Sequence, residues 1–526
     1  MRTRPRHPGI RRLEQWLGGV AAIGAAVVVV LALSSTLVNR EIAWTASRSA
    51  AARPLIVLPA FADSTALFGA VDRYVEDQMR AGRVPGLALV LVHDDRIVHA
   101  RGFGITGPEG RPVTPETPFI LGSLSKAFTA VAILQLADQR RVALDAPVQR
   151  YLPWFSTHDS SESARITIRE LLNHTSGIPK SAGLQLVRGA AAATRAQERR
   201  LFVHARLVHA PGTEFVYSNA NYWLLGLVLE TVTDTSYATY VQRHIFDPLG
   251  MTHSYTSERA AGAHGLAQGY RIWFGYPRAE ELSFYARELA VGYLISSAGD
   301  MGRFLIAQLN GGIAGGERVI SPAGLRDMSR PPPGSPYAMG WLTDSVGGVP
   351  VLWHTGALAN YHGDMLLIPS SGWGVVQLAN TNNFALEGQL SAAVKGIAAL
   401  LLGYEPPRAS WLGFRTSYVL IIAACLAWAA WRVGQVVGLR HWRGMARPLG
   451  GSAIGRPPPP RHPAGALIDP GVAIGLVVGV PLLLGSPPST LQWFVPDLSD
   501  WLAVNAVIAI AMMTARLVLS ASDRGV

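Results

Sequence analysis

Four long apolar stretches, one before residue 40 and three after residue 410, decide how this chain must be partitioned. About 20 apolar residues suffice for a helix to span the hydrocarbon of a bilayer. Residues 16–38, 417–439, 464–485 and 501–519 all reach about that length. The first is uncharged and follows Arg2, Arg4, Arg6, Arg11 and Arg12. A secretory signal has a shorter apolar centre of about 7–15 residues, so an uncleaved anchor is expected, with Ala32–Ser34 as the small-residue site where cleavage would otherwise fall. Arg440, Arg443, Arg447, Arg456 and Arg461 separate the second and third stretches, whereas the loop before the fourth carries Asp497 and Asp500. Arginine-rich loops stay on the cytoplasmic side, which places both ends inside and the long middle region outside. Arg432 and Arg516 then fall near cytoplasmic helix ends, where their side chains can reach the headgroups. The expected organisation is a basic segment with an anchor over 1–40, an extracytoplasmic domain over 60–403 and three membrane helices within 411–526. That makes about four transmembrane helices in a bacterial-type cytoplasmic membrane, with the lipid bilayer as a partner.

Charge placement excludes nucleic acid as a partner. Of the formal net charge of +11, residues 1–38 hold +4 and residues 411–526 hold +5, leaving +2 for the middle, where no basic stripe alternates with aromatics. Charged residues make up 15% of the 526 and apolar ones 49%, which excludes a disordered chain. A single cysteine, Cys425 within an apolar stretch, excludes a disulfide framework and thiolate zinc sites and is expected to be packing. The 14 histidines are scattered and no HExxH occurs, so neither a metal nor another cofactor is expected.

The middle region mixes two periodicities. Residues 65–82 read as an amphipathic helix ending at Gly82, and Leu87–His93 with Arg96–Gly102 read as a hairpin about Asp94–Asp95. Helical stretches follow. Strand signals return at Val349–Trp353, Gly363–Pro369 and Trp373–Asn380, before a last helix near 384–402. This order predicts an α+β domain, an antiparallel sheet flanked by helices with a helical subdomain inserted.

Three motifs carry chemistry. In Ser123-Leu124-Ser125-Lys126, residues i and i+3 share a helix face, so the Lys amine reaches the Ser hydroxyl if Ser123 opens a helix. Gly122 permits the tight turn before it, and a helix N-terminus offers N–H groups to a developing oxyanion. The chain uses Lys only at 126, 180 and 395, against 43 Arg. Arg stays charged, whereas a buried Lys can lose its proton and act as a base. Tyr217-Ser218-Asn219 follows the Pro211-Gly212 turn and precedes an apolar helix. A Tyr hydroxyl near Ser Oγ relays protons, and an Asn amide both donates and accepts; equally, Ser218 or Asn219 suits an N-cap. His354-Thr355-Gly356-Ala357 comes out of an apolar strand, where Gly356 lets a substrate backbone approach and the Ala357 N–H can pair with that of Ser123 in an oxyanion hole.

GSLSK, YSN about 95 residues later, and HTG at a late strand, in that order, resemble the serine β-lactamase and penicillin-recognising group, and in particular the class C β-lactamase-related hydrolases. The resemblance covers roughly 60–403 and extends to Leu144–Pro147, Leu171–Gly177, Asp247–Met251 and Leu294–Asp300, within which His174 and Asp300 read as scaffold. It implies Ser123 as nucleophile, Lys126 as its activating partner and Tyr217 as proton shuttle. Asn219 would orient substrate, with His354, Thr355, Gly356 and Ala357 lining the cleft edge. Whether Lys126 or Tyr217 is the acylation base stays open, since the pair titrates together. One departure matters: members that bind a substrate carboxylate usually have Lys where His354 stands, and His is mostly neutral at pH 7. The expectation is therefore a membrane-anchored serine hydrolase forming an acyl-enzyme on D-amino-acid-containing peptides, peptidoglycan-like fragments or small esters. A β-lactamase or D-alanyl-D-alanine carboxypeptidase, or a non-hydrolytic sensor or scaffold, are the alternatives.

Overall fold

The computed structural model describes residues 64–183, 195–406, 414–416, 418–423, 425–430 and 492–522. They fall into two units. One holds the described residues of 64–271 and 277–406, and the other holds 272–276 with the described residues of 414–522.

In the first unit the chain opens with α1 (Ser64–Gly82), then pairs β1 (Gly86–His93) with β2 (Arg96–Gly104) through a turn in which Asp94 takes a positive φ of 54°. Short strands β3 (Pro118–Ile120) and β6 (Ile295–Ser297) pair with each other, as do β7 (Ile313–Ala314) and β8 (Glu317–Arg318). Hairpin strands β4 (Tyr270–Trp273) and β5 (Tyr276–Ala279) lie between them in sequence. The late strands are β9 (Tyr337–Ala338), β10 (Trp341–Val346), β11 (Val349–Ala357), β12 (His362–Ile368), β13 (Trp373–Ala379) and β14 (Thr381–Asn382). The main helices after α1 are α2 (Ser125–Asp138), α3 (Asn219–Thr233), α4 (Ala298–Leu309) and α5 (Phe384–Leu401).

Seven strands form one antiparallel sheet in the order β2-β1-β13-β12-β11-β10-β9. The N-terminal hairpin thus completes a sheet whose other strands come more than 230 residues later, with a largely helical insertion and the short strands β3–β8 between. This is the expected α+β architecture. β1, β12 and β13 are buried nearly throughout, because helices cover both faces. On one face Gln389 of α5 donates to the Gln78 carbonyl of α1 and Lys395 of α5 pairs with Asp344 of β10. On the other, α4 packs its Gly302 against Val90. The continuous apolar run of β1 reflects this double burial. The exposed edge strand β2 instead carries Arg96 and Arg101, charges that discourage pairing with another chain.

The strand containing His354 runs on to Ala357, four residues beyond its sequence-predicted end at Trp353, so the motif lies inside β11 and not after it. Ser123 likewise does not open the helix. It sits in a 3₁₀ turn, Gly122–Leu124, and α2 begins at Ser125.

In the second unit, α6 (Pro496–Ser522) contains Pro496–Thr514, long and apolar enough by length and composition to cross a membrane. It covers the expected 501–519 stretch. Residues 414–416, 418–423 and 425–430 are helical, covering part of 417–439, whereas 16–38 and 464–485 lie outside the described residues. Among the described residues one such helix is present where four were expected. Within this unit Trp428 Nε1 donates to Asn505 Oδ1 at 2.7 Å, and Val504, Val507 and Ile510 of α6 are exposed. Cys425 is unbonded and partly buried.

Candidate active site

The turn Gly122–Leu124 is pressed against the end of β11. A Cβ built on Gly356 would lie 2.0 Å from the Leu121 carbonyl oxygen, and one on Gly122, whose φ is +56°, would lie 2.7 Å from Ala357 N. Only glycine at both positions allows this approach. It brings the Ala357 N–H beside the turn that carries Ser123.

Lys126, one helical turn on, is fully buried. Its Nζ lies 2.9 Å from Ser123 Oγ and donates to the Val291 carbonyl at 2.8 Å. The carbonyl can only accept, so it takes one N–H and fixes the amine. Burial pulls the Lys126 pKa down to about 7, partly opposed by the Glu288 carboxylate. Near neutral pH the amine is therefore often uncharged, with its lone pair available. The three lysines also divide instructively: Lys395 is buried against Asp344 at 2.5 Å and Lys180 is exposed. Scarcity alone did not mark position 126.

Tyr217 stands just ahead of α3, and its ring centroid is 5.1 Å from Lys126 Nζ. Burial raises its pKa above the ordinary phenol value, a rise that the Ser123 side chain reduces. The phenol therefore keeps its proton at neutral pH. Ser218 occupies the N-cap position of α3 without capping through its side chain, and its hydroxyl donates to the Pro179 carbonyl. Asn219 follows as the first helical residue, and its Oδ1 is buried without a hydrogen-bond partner among the described residues.

His354 is 2% exposed and both ring nitrogens are engaged. Nδ1 lies 2.7 Å from the Thr355 carbonyl, which only accepts, so Nδ1 carries the proton; Nε2 then accepts from the Tyr337 hydroxyl at 3.1 Å. Burial, with Lys126 nearby, lowers its pKa to about 3. It is a neutral, wall-forming imidazole. Side chains alternate along a strand, and Thr355 points to the opposite face, where its hydroxyl meets that of Ser391 of α5 at 3.3 Å. Thr355 thus offers the cleft side its backbone and not its hydroxyl.

Sequence reading placed His174 in the scaffold without showing how near it stands. Its Nδ1 accepts from Ser218 N–H at 3.2 Å and Asn221 Nδ2 at 2.9 Å, and its ring packs 4.2 Å from that of Tyr217. Its positive φ of 56° bends the chain into this contact. Asp300 accepts from His253 N–H, Ser254 Oγ and Arg303, tying the start of α4 to the preceding loop. Tyr337 and Glu288, which contact His354 and influence Lys126, were not singled out, since neither belongs to a short motif.

Comparison with known proteins bears on the family and the fold. The profile of the Beta-lactamase family matches residues 71–399. Protein flp of Staphylococcus aureus strain MW2 is 31% identical over 320 residues, which cover 60% of this chain and 63% of that protein. Unguisins hydrolase ungD of Aspergillus violaceofuscus is 28% identical over 359 residues, covering 61% of this chain and again 63% of the relative. The chain therefore spans less than two thirds of the length of these curated relatives. Among solved structures, the octameric penicillin-binding protein homologue from Pyrococcus abyssi superposes with a TM-score of 0.55 at 28% identity, covering 64% of this chain and 78% of the other. D-alanine carboxypeptidase AmpC from Burkholderia cenocepacia shares the fold with a TM-score of 0.53 at 23% identity, covering 64% of this chain and 99% of its own. With a family match over more than half its length, the chain belongs to the Beta-lactamase family.

Proposed function

We propose that the protein is a membrane-anchored, extracytoplasmic serine hydrolase that forms an acyl-enzyme on Ser123. The observation that carries this reading is the 2.9 Å contact of Ser123 Oγ with the buried Lys126 Nζ, itself 5.1 Å from the Tyr217 ring centroid. Lys126 in its neutral form takes the Ser123 proton as Oγ attacks an ester or amide carbonyl. The N–H groups of Ser123 and Ala357 receive the oxyanion, Tyr217 passes a proton to the leaving group, and Asn219 orients the acyl side. Water then releases the acyl group by the same relay in reverse. Lys126 rather than Tyr217 is the base in the free protein, because burial favours the neutral form of each group: amine without a proton, phenol with one. A binder or sensor has no use for such a relay.

The neutral, engaged His354 gives no fixed cation to a substrate carboxylate, which argues for esters and amides lacking one over penicillins. A panel of p-nitrophenyl esters, D-aminoacyl p-nitroanilides and nitrocefin tests this, with Ser123→Ala as the blank. Turnover of esters or anilides well above nitrocefin is expected; nitrocefin as the best substrate would reverse the order. The pH profile has a defined sign. The active form of Lys126 is unprotonated, so kcat/KM on a neutral ester should fall as pH drops below about 7 and level off above it. A profile flat down to pH 5 would remove Lys126 as the base. Anchoring by α6 and the other apolar stretches is part of the proposal and is checked by whether the protein stays with membranes after a carbonate wash.

A further inference from the structure

Glu387 lies in the first turn of α5, half-buried, and its carboxylate has no hydrogen bond or ion pair to the described residues. Its position follows from its helix neighbours. Lys395 contacts Asp344, which is opposite Val351 of β11. One turn earlier, Ser391 contacts Thr355 Oγ1 at 3.3 Å and donates to Asp364 Oδ1 at 3.0 Å. α5 therefore runs back along β11, away from its Ala357 end. Four helical residues rise about 6 Å, and two strand residues advance about 6.6 Å. A further turn towards the helix start thus sets Glu387 over the Ala357–His362 pair, at the strand end whose other face, at Gly356, meets the turn that carries Ser123. Its electrostatic neighbours agree: His362 and Asp364 on β12, Tyr217 before α3, and Lys180.

The charges at this rim do not balance. Asp364 Oδ2 is 2.6 Å from His362 Nε2 and also accepts from Gln377 Nε2 at 2.7 Å, so the Asp364 carboxylate is matched, while His362 Nδ1 has no partner among the described residues. His354 is neutral, Lys126 is committed to Ser123 and Val291, and Lys180 is exposed to solvent. One carboxylate remains without a cation in a partly desolvated place, an arrangement that favours a cationic ligand. A second observation points the same way. Asn382 is fully buried; its Nδ2 donates to the carbonyl of Leu358, the residue after Ala357, at 2.9 Å, which fixes the amide's orientation. Its Oδ1 has no donor among the described residues. Among the described residues the rim thus holds unpartnered acceptors on Glu387 and Asn382, together with one unbonded ring nitrogen, His362 Nδ1.

We propose that Glu387 is the receptor for a substrate ammonium group, making the preferred substrate an amino-acid amide or ester with a free amine. The assignment rests on the acyl-enzyme reading above and narrows it. The experiment uses the full chain in detergent, with D-alanine p-nitroanilide and its N-acetyl counterpart as the probe pair. Wild type should show a kcat/KM ratio of at least about 10 in favour of the free amine. Glu387→Gln should bring that ratio close to one, and Glu387→Asp should keep part of it. Protection of Ser123 against fluorophosphonate labelling by D-alaninamide, and not by N-acetyl-D-alaninamide, should likewise vanish in Glu387→Gln. A wild-type ratio near one without selective protection, or a ratio unchanged in Glu387→Gln, overturns the assignment. Hydrolysis of p-nitrophenyl acetate by wild type and its loss in Ser123→Ala report on the acyl-enzyme reading separately, so failure of one is not mistaken for failure of the other.

Discussion

Replacing Lys126 by arginine should lower kcat/KM by about 10³-fold, as severely as replacing it by methionine. The two variants fail for different reasons. Arginine keeps a positive charge but cannot give it up, so no lone pair is available at the 2.9 Å position beside Ser123 Oγ. Methionine keeps most of the volume and loses the base. Arginine also forces a permanent charge into a fully buried place that the lysine occupies by shedding its own. Lys126→Arg is therefore expected to unfold at lower denaturant than Lys126→Met, although it is the closer substitution by charge. Ester turnover and denaturant midpoints measured on the same preparations check both statements. Arginine retaining more than a tenth of wild-type activity would show that charge, and not proton transfer, is what position 126 supplies.

Gly356→Ala is the second change with a large expected effect, and it acts through geometry alone. The added methyl would begin 2.0 Å from the Leu121 carbonyl oxygen, a backbone atom that cannot rotate away. Either β11 or the Gly122–Leu124 turn must shift, and a displacement near 1 Å at reacting atoms costs about 10²-fold. Stability should fall by about 1–3 kcal/mol, the usual cost of overpacking. Thr355→Val, next door, should behave quite differently. Its hydroxyl faces Ser391 across the other side of the sheet, so the loss is about one weak hydrogen bond and activity should change only a few-fold. Rates of acylation by a p-nitrophenyl ester, with thermal midpoints, separate the two. Equal losses would mean that Thr355, not the close approach at Gly356, shapes the cleft.

The pattern of residues told much of this in advance, and the limits have physical causes. Local spacing is readable, so the Ser123–Lys126 pair, the Tyr217–Asn219 segment ahead of a helix, the late strands and the closing helix all stood in the chain as written. Side-chain direction within β11 was harder. A residue's face depends on register, and placing the end of the strand at Trp353 hid the alternation that turns His354 inward and Thr355 away. The hairpin β1–β2 was legible, but its docking against β13 was not, because pairing between residues 280 or more positions apart leaves no local trace. The engagement of His354 by Tyr337 and the place of Glu387 above Ala357 depend on the same long-range packing. Charge asymmetry led to an expectation of four membrane helices, of which α6 is the one among the described residues that meets the length requirement.

The account stands on Ser123 as the nucleophile held between an amine and a phenol. The direct measurement is to react the full chain with a fluorophosphonate and locate the adduct by peptide mass. A single adduct on Ser123, absent in Ser123→Ala and formed far more slowly in Lys126→Met, is the predicted result. An adduct on another residue, or labelling that proceeds unchanged without the Ser123 hydroxyl, would contradict it.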